Sequence, residues 1–122
     1  MTIRESAEDY LEAMLMLREQ KGYIRSVDVA DKLGVTKPSV SYAVKRLREN
    51  DYLLMNQDGH ITLTEKGETI AQRIYERHRI LTKILLKIGV SEESAKADAC
   101  RIEHDICDET FEAIRRFVDS EN

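Results

Sequence analysis

Two short helical patterns and a hairpin pattern follow one another in the first half of the chain, and this order limits the folds open to it. Apolar residues recur at helical spacing on both sides of Gly34, a residue type common where a helix ends with a positive φ. Thr36 is a typical capping residue for the second helix. Two β-type runs, 52–55 and 61–63, then flank the turn signal Asp58-Gly59. A helix-turn-helix followed at once by a small hairpin predicts a winged helix.

The rest of the chain is predicted to be helical. Apolar residues at helical spacing indicate one helix over 3–20, before the winged-helix pattern, and others over 65–88 and 92–106 after it. A last helix is predicted to run to about residue 118, with Asp108 as its cap. One proline and five glycines argue against a loop-rich or β-rich fold. We therefore expect a mainly α protein whose halves meet near residue 64.

The net charge of −4 conceals an uneven distribution of basic residues. The second helix of the helix-turn-helix, over 37–48, carries four Lys and Arg residues and no acid. A basic helix can bind phosphate locally whatever the total charge, and its first turns are where a recognition helix meets base edges. The expected DNA contacts lie at its start and on its outer face: Thr36, Lys37, Ser39, Ser41, Tyr42 and Lys45.

Several side chains suited to metal binding lie at helical spacings. Segment 100–104 carries a thiol, a carboxylate and an imidazole at positions i, i+3 and i+4, which share one helical face. These are ligand types for a divalent transition metal. An acidic pair at i, i+3 occurs in the first helix, and a histidine lies in the long helix over 65–88. Spacing alone leaves open whether these faces meet. The candidate ligands are Asp9, Glu12, His78, Cys100, Glu103 and His104.

The two cysteines, Cys100 and Cys107, lie in one short segment. This placement predicts free thiols and fits a reducing cytoplasm better than a disulfide framework. Cys107 is expected to be a core thiol, with a redox-sensitive neighbour of the metal site as the alternative. There is no apolar run near 18 residues, so no membrane span is expected, and the N-terminal residues show no signal-peptide pattern.

Five segments carry a resemblance to a known family, in order along nearly the whole chain: EDYLE at 8–12, TKPSVS at 36–41, LTEKG at 63–67, RHRIL at 77–81 and ACRIEH at 99–104. They resemble the diphtheria toxin repressor and manganese transport regulator family of metal-dependent repressors. The resemblance implies a winged-helix DNA-binding domain over 1–64 and a helical metal-binding and dimerisation domain over 65–122, in a short form without an SH3-like domain. It further implies a cytoplasmic homodimer that binds a palindromic double-stranded DNA operator and represses metal-uptake genes.

The candidate ligands combine features of two branches of that family. Most match the manganese branch, in which the position of Cys100 is usually a Glu. A Cys there is typical of the iron branch, which usually has a Met at the position of Asp9. Thr82 and Lys96 do not match the ligands of the iron branch's second metal site. We expect Mn²⁺ or Fe²⁺ as the cofactor, with Co²⁺, Ni²⁺ or Zn²⁺ able to substitute in vitro, because a thiolate favours softer metals and carboxylates suit Mn²⁺.

The apolar residues of the last two helices are expected to supply the dimer surface, although part of the set must be core. They are Ile102, Ile106, Phe111, Ile114, Phe117 and Val118. A winged-helix regulator that senses a non-metal ligand remains the main alternative function. A metalloenzyme and a purely structural metal site are others, but no nucleophile–base arrangement or phosphate-binding loop is evident in the sequence.

Overall fold

The computed structural model describes residues 3–121, with side chains from residue 7 onwards. Over this range the chain forms six helices and one two-stranded sheet, which confirms the mainly α fold class. It divides into two compact units, Met1–Gln72 and Arg73–Asn122. No helix among the described residues is long and apolar enough to cross a membrane. In order, the elements are α1 (Ile3–Lys21), α2 (Ser26–Leu33), α3 (Lys37–Glu49), β1 (Leu53–Met55), β2 (Ile61–Leu63), α4 (Glu65–Lys87), α5 (Glu92–Ile102) and α6 (Asp108–Ser120).

The first unit is built around α1. Leu11, Met14 and Leu15 on this helix are fully buried, as are Val29 on α2 and Val40 on α3. Full burial of an aliphatic side chain stabilises a fold by about 1.5–3 kcal/mol. The apolar stripes that predicted these helices are therefore their packing faces.

The turn between α2 and α3 has the predicted chemistry. Gly34 ends α2 with φ 67°, and its backbone N–H donates to the carbonyl oxygen of Ala30. Thr36 caps α3, since its Oγ1 accepts a hydrogen bond from the backbone N–H of Ser39 at 3.2 Å. These two local devices set the angle at which α3 leaves α2 and present its outer face to solvent.

The hairpin after α3 completes a winged helix. Leu53 pairs with Leu63 and Met55 with Ile61, in antiparallel register. The loop between the strands is closed by the side chain of Asn56, whose Oδ1 accepts from the backbone N–H groups of Asp58 and His60, both at 2.9 Å. His60 also forms an isolated bridge with Arg25, the residue before α2. The hairpin is therefore tied to the start of the helix-turn-helix.

The second unit contains the C-terminal part of α4 together with α5 and α6. Its core includes the fully buried Ala95, Ala99 and Val118. Helix α5 ends at Ile102, so the prediction that it continues to residue 106 is wrong. Helix α6 starts at Asp108 with Cys107 as its N-cap residue, so Asp108 is not the cap. A non-helical segment, residues 103–107, therefore separates α5 from α6.

The predicted dimer surface is divided between core and surface. Phe111 and Val118 are buried within the unit and belong to its core. Phe117 is 53% exposed. Ile102, Ile106 and Ile114 are half-buried.

Candidate metal centre and nucleic-acid interface

His78 and Glu103 form the chemical centre of the second unit. Nδ1 of His78, on α4, lies 3.2 Å from Oε1 of Glu103, which follows the end of α5. The Glu103 side chain is 0% exposed and that of His78 is 18% exposed. Burying a carboxylate is costly unless it is hydrogen-bonded, paired with a charge or coordinated to a metal. The pair places a nitrogen and an oxygen ligand atom close enough to bind one cation.

The other two candidate ligands of this unit lie near Glu103 in sequence but in different surroundings. Cys100 occupies the last turn of α5 and is exposed. His104 lies in the turn after α5 and is half-buried. Because α5 ends at Ile102, the two ligands beyond it are positioned by the turn rather than by the helix. The prediction that all three groups lie along one helix is therefore wrong for Glu103 and His104.

The first unit contributes acidic candidates on α1. Glu12 is only 5% exposed and Asp9 is half-buried. Glu8, one turn before Glu12 and absent from the predicted ligand set, is only 8% exposed. Two buried carboxylates at i, i+4 on one helix are unusual, since acids are rarely buried unless they are paired or bind a metal. Their four-residue spacing was visible in the sequence.

The outer face of α3 is basic and polar, as predicted. Lys37, Ser41 and Lys45 are exposed, and Tyr42 is 62% exposed. The hydroxyl of Thr36 donates to the Ser39 hydroxyl oxygen at 2.9 Å, so these two predicted contacts already interact with each other. A side chain at a helix start can both cap the helix and face a duplex.

Arg46 is a member of this face that the prediction omitted. Its Nη1 donates to the hydroxyl oxygen of Tyr42 at 3.0 Å, and its guanidinium lies 5.7 Å from the centre of the Tyr42 ring. The i, i+4 spacing of the two residues was the available signal. The guanidinium and the tyrosine hydroxyl therefore form one joint polar group beside Lys45.

Cys107 is not the core thiol that was expected. It is exposed at the N-terminus of α6, where its Sγ lies 3.5 Å from Oγ1 of Thr110. This side-chain hydrogen bond, together with the backbone N–H groups of the first turn of α6, lowers the pKa of the Cys107 thiol. The residue belongs to the surface.

These features define a class: winged-helix DNA-binding proteins with a metal-binding helical unit after the wing. Two family models match consecutive parts of the chain. Residues 2–61 match the N-terminal DNA-binding domain of iron-dependent repressors, and residues 64–120 match their metal-binding and dimerisation domain. The chain belongs to the iron-dependent repressor family.

Curated relatives agree with this family. The chain is 40% identical over 115 residues to the transcriptional regulator MntR of Escherichia coli. The match covers 94% of this chain and 74% of the relative. It is 40% identical over 114 residues to the HTH-type transcriptional regulator MntR of Geobacillus kaustophilus, covering 93% of this chain and 79% of the relative.

Solved structures share the fold. The manganese regulator SloR matches with a TM-score of 0.81 and 29% identity, over 93% of this chain and 53% of that one. The IdeR protein of T. acidophilum matches with a TM-score of 0.78 and 31% identity, over 90% of this chain and 53% of that one. The chain thus spans about half the length of these two solved proteins.

Proposed function

We propose that this chain is a metal-dependent DNA-binding repressor that controls genes of metal-ion homeostasis and uptake. The observation that carries the proposal is the buried His78–Glu103 pair, which lies within the segment matched by the metal-binding domain of a repressor family. The exposed basic face of α3 supplies the second requirement, a surface for DNA. A regulator of this kind acts on DNA in the cytoplasm and needs no catalytic group.

The proposed ligand set is Asp9, Glu12, His78, Cys100, Glu103 and His104. Three of them, Glu12, His78 and Glu103, each offer a ligand atom and are little exposed to solvent. Nitrogen and carboxylate oxygen donors suit first-row divalent metals, so the residues present fit the group. The proposed division of labour assigns DNA binding to residues 1–64 and metal binding and dimerisation to residues 65–122.

The proposed metal is Mn²⁺ or Fe²⁺. The carboxylates of the set favour Mn²⁺, and the Cys100 thiol would raise affinity for softer metals if it joins them. Because Cys100 is exposed while Glu103 is buried, a Cys100→Ser variant is expected to change the preference among metals more than it changes the fold.

The proposed DNA contacts are Thr36, Lys37, Ser39, Ser41, Tyr42 and Lys45. Basic side chains would supply phosphate contacts and the polar residues at the start of α3 would approach base edges. In a homodimer the two copies of α3 would lie about 34 Å apart, which is one turn of DNA and matches a palindromic operator.

Four of the proposed ligands lie in the second unit, whereas Asp9, Glu12 and the proposed DNA contacts lie in the first, so the function requires coupling between the two units. If Asp9, Glu12 and Glu103 bind one cation as proposed, their like charges would oppose one another without it. A divalent cation held by these residues would supply the positive charge that offsets the repulsion between the carboxylates. The order imposed on α1 is then transmitted to the helix-turn-helix, because α1 forms the core against which α2 and α3 pack.

DNA affinity with and without metal tests the proposal. A duplex selected from a random library by the Mn²⁺-loaded protein would be titrated in chelator and, without oxygen, in Mn²⁺ or Fe²⁺. We expect tighter binding with metal and a palindromic selected site. Equal affinity in chelator and in metal would contradict the proposal. Calorimetry that detects no binding of either metal would favour a winged-helix regulator of a non-metal ligand.

A further inference from the structure

A buried arginine precedes the metal-site histidine on α4. Arg77 is only 5% exposed. Its Nη1 donates to two backbone carbonyl oxygens, that of Glu103 at 3.1 Å and that of Ile106 at 2.8 Å. Its Nη2 donates to the carboxylate of Asp108 at 2.5 Å. The guanidinium therefore holds both ends of the segment between α5 and α6.

This segment carries two of the proposed ligands. Helix α5 ends at Ile102, so the carbonyl groups that follow it lie outside the helical ladder and need other donors. Arg77 supplies them, and it bonds to the backbone of Glu103 itself. A guanidinium can do this because its donors form a rigid planar fork, whereas the ammonium of a lysine is a compact charge on a flexible stem.

Phe111 fixes the guanidinium from the side of α6. Its ring centre lies 5.2 Å from the guanidinium carbon of Arg77 and 5.0 Å from that of Arg115. Arg115 forms ion pairs with Glu76 and Glu112, and these pairs do not involve the segment 103–107. Two arginines therefore lie beside the Phe111 ring. Arg77 bonds to the ligand-bearing segment, and Arg115 bonds to residues outside it.

We propose that Arg77 is a positioning residue of the metal site: through the carbonyl groups of Glu103 and Ile106 it fixes the turn that sets the Glu103 carboxylate beside His78. This role rests on the proposed metal-binding function. It also explains why α5 can end at Ile102, since Arg77 donates to carbonyl groups in the segment that follows, outside the helix. The contact is made at the backbone, so Arg77 does not compete for the ligand oxygens of Glu103.

The test compares Arg77→Lys with Arg115→Lys. Both variants keep a positive charge beside Phe111, but only the first loses the fork that holds the 103–107 segment. Mn²⁺ affinity is measured by calorimetry, and Co²⁺ is used as a probe whose visible absorption reports ligand number and geometry. Circular dichroism of the metal-free proteins monitors the fold. Asp108→Ala, which removes one anchor of the guanidinium, is the second variant if Arg77→Lys does not fold.

We expect Arg77→Lys to weaken Mn²⁺ binding about tenfold or more, as removal of groups that orient ligands does, and to alter the Co²⁺ spectrum. Arg115→Lys should keep the wild-type affinity and spectrum. Wild-type behaviour of Arg77→Lys, or equal changes in both variants, would overturn the positioning role while leaving the proposed function intact. Failure of the wild-type protein to bind either metal would overturn both.

Discussion

The Nδ1 atom of His78 lies 3.2 Å from Oε1 of Glu103, a residue 25 positions later and fully buried. This contact joins α4 to the turn after α5 within the second unit. It brings together two ligand types, one of them a carboxylate shielded from solvent, so it is the strongest local indication of a cation site among the described residues of this unit.

Replacing Glu103 tests that contact. Glu103→Gln keeps the size of the side chain and its ability to bond to His78, but removes the ligand charge. We expect Mn²⁺ affinity to fall by about a hundredfold or more. The change alters a ligand itself, whereas loss of a group that only supports a ligand costs about 10–100-fold. Calorimetry measures it, with Glu93→Gln, at an exposed position in the first turn of α5, as the matched control. Unchanged affinity in Glu103→Gln would exclude this residue as a ligand.

Lys45 is expected to contribute a phosphate contact. Lys45→Ala should weaken DNA binding across sequences and reduce the slope of log affinity against log salt by about 0.9, as expected for one lost contact. Titrations of the selected duplex at several salt concentrations give that slope. The control is Lys96→Ala, which removes an exposed lysine from α5 in the second unit. If the slope of log affinity against log salt is the same in both variants and in the wild type, Lys45 does not contact the backbone of DNA.

The start of α4 is packed directly against the residue before β1. A Cβ added at Gly67 would overlap the backbone carbonyl oxygen of Tyr52. Ala usually stabilises an exposed helix position by about 0.8–1.0 kcal/mol relative to Gly. Here we expect the opposite sign, with Gly67→Ala lowering the free energy of unfolding by about 1–3 kcal/mol. Urea denaturation measures the free energy of unfolding. As the control, Thr69 lies at an exposed position in the same helix, and there the Ala variant should be more stable than the Gly variant.

An ion pair connects α1 to the beginning of α4 within the first unit. Arg18 donates to both carboxylate oxygens of Glu68, at 2.6 and 2.7 Å. This hydrogen bonding to Arg18 is the main cause that lowers the pKa of Glu68 below its ordinary value of 4.5. A depressed carboxyl pKa contributes stability that is present above the unfolded-state pKa and is lost as the pH falls through the folded-state value.

Removal of Arg18 should therefore matter more at neutral pH than in acid. Because both side chains are about one-third exposed, Arg18→Met is expected to cost no more than about 1 kcal/mol at pH 7. The difference from wild type should narrow below about pH 4, where Glu68 protonates in the variant. Urea denaturation across this range measures it, with Arg48→Met at an exposed position of α3 as the control. A pH-independent difference would show that the pair is not the source of stability.

Local capping chemistry was predictable where the side chain decides the helix start. Thr36 caps α3 as expected, and Thr64 and Ser91 cap α4 and α5 in the same way, each accepting a hydrogen bond from the backbone N–H three residues later. Helix α2 differs, because its N-cap residue is Arg25, which makes no side-chain capping hydrogen bond. Arg25 bridges to His60 in the hairpin, so a contact distant in sequence determines where this helix begins.

For the candidate metal site, too, local sequence patterns predict only part of what the structure shows. Local spacing identified the ligand types of segment 100–104, but not that Glu103 is fully buried while Cys100 is exposed. That difference follows from the end of α5 at Ile102 and from the bonds of Arg77 to carbonyl groups 26 and 29 residues away. No local pattern contains such contacts, because they depend on how α4 packs against the later helices.

If metal switches this protein as proposed, metal and DNA strengthen each other's binding. The most direct test is the Mn²⁺ affinity of the wild-type protein, measured without DNA and again with a saturating amount of the selected duplex. Thermodynamic linkage requires DNA to tighten Mn²⁺ binding by the factor by which Mn²⁺ tightens DNA binding, and about 5–150-fold is expected for such coupling. An Mn²⁺ affinity that is the same with and without the duplex would contradict the account.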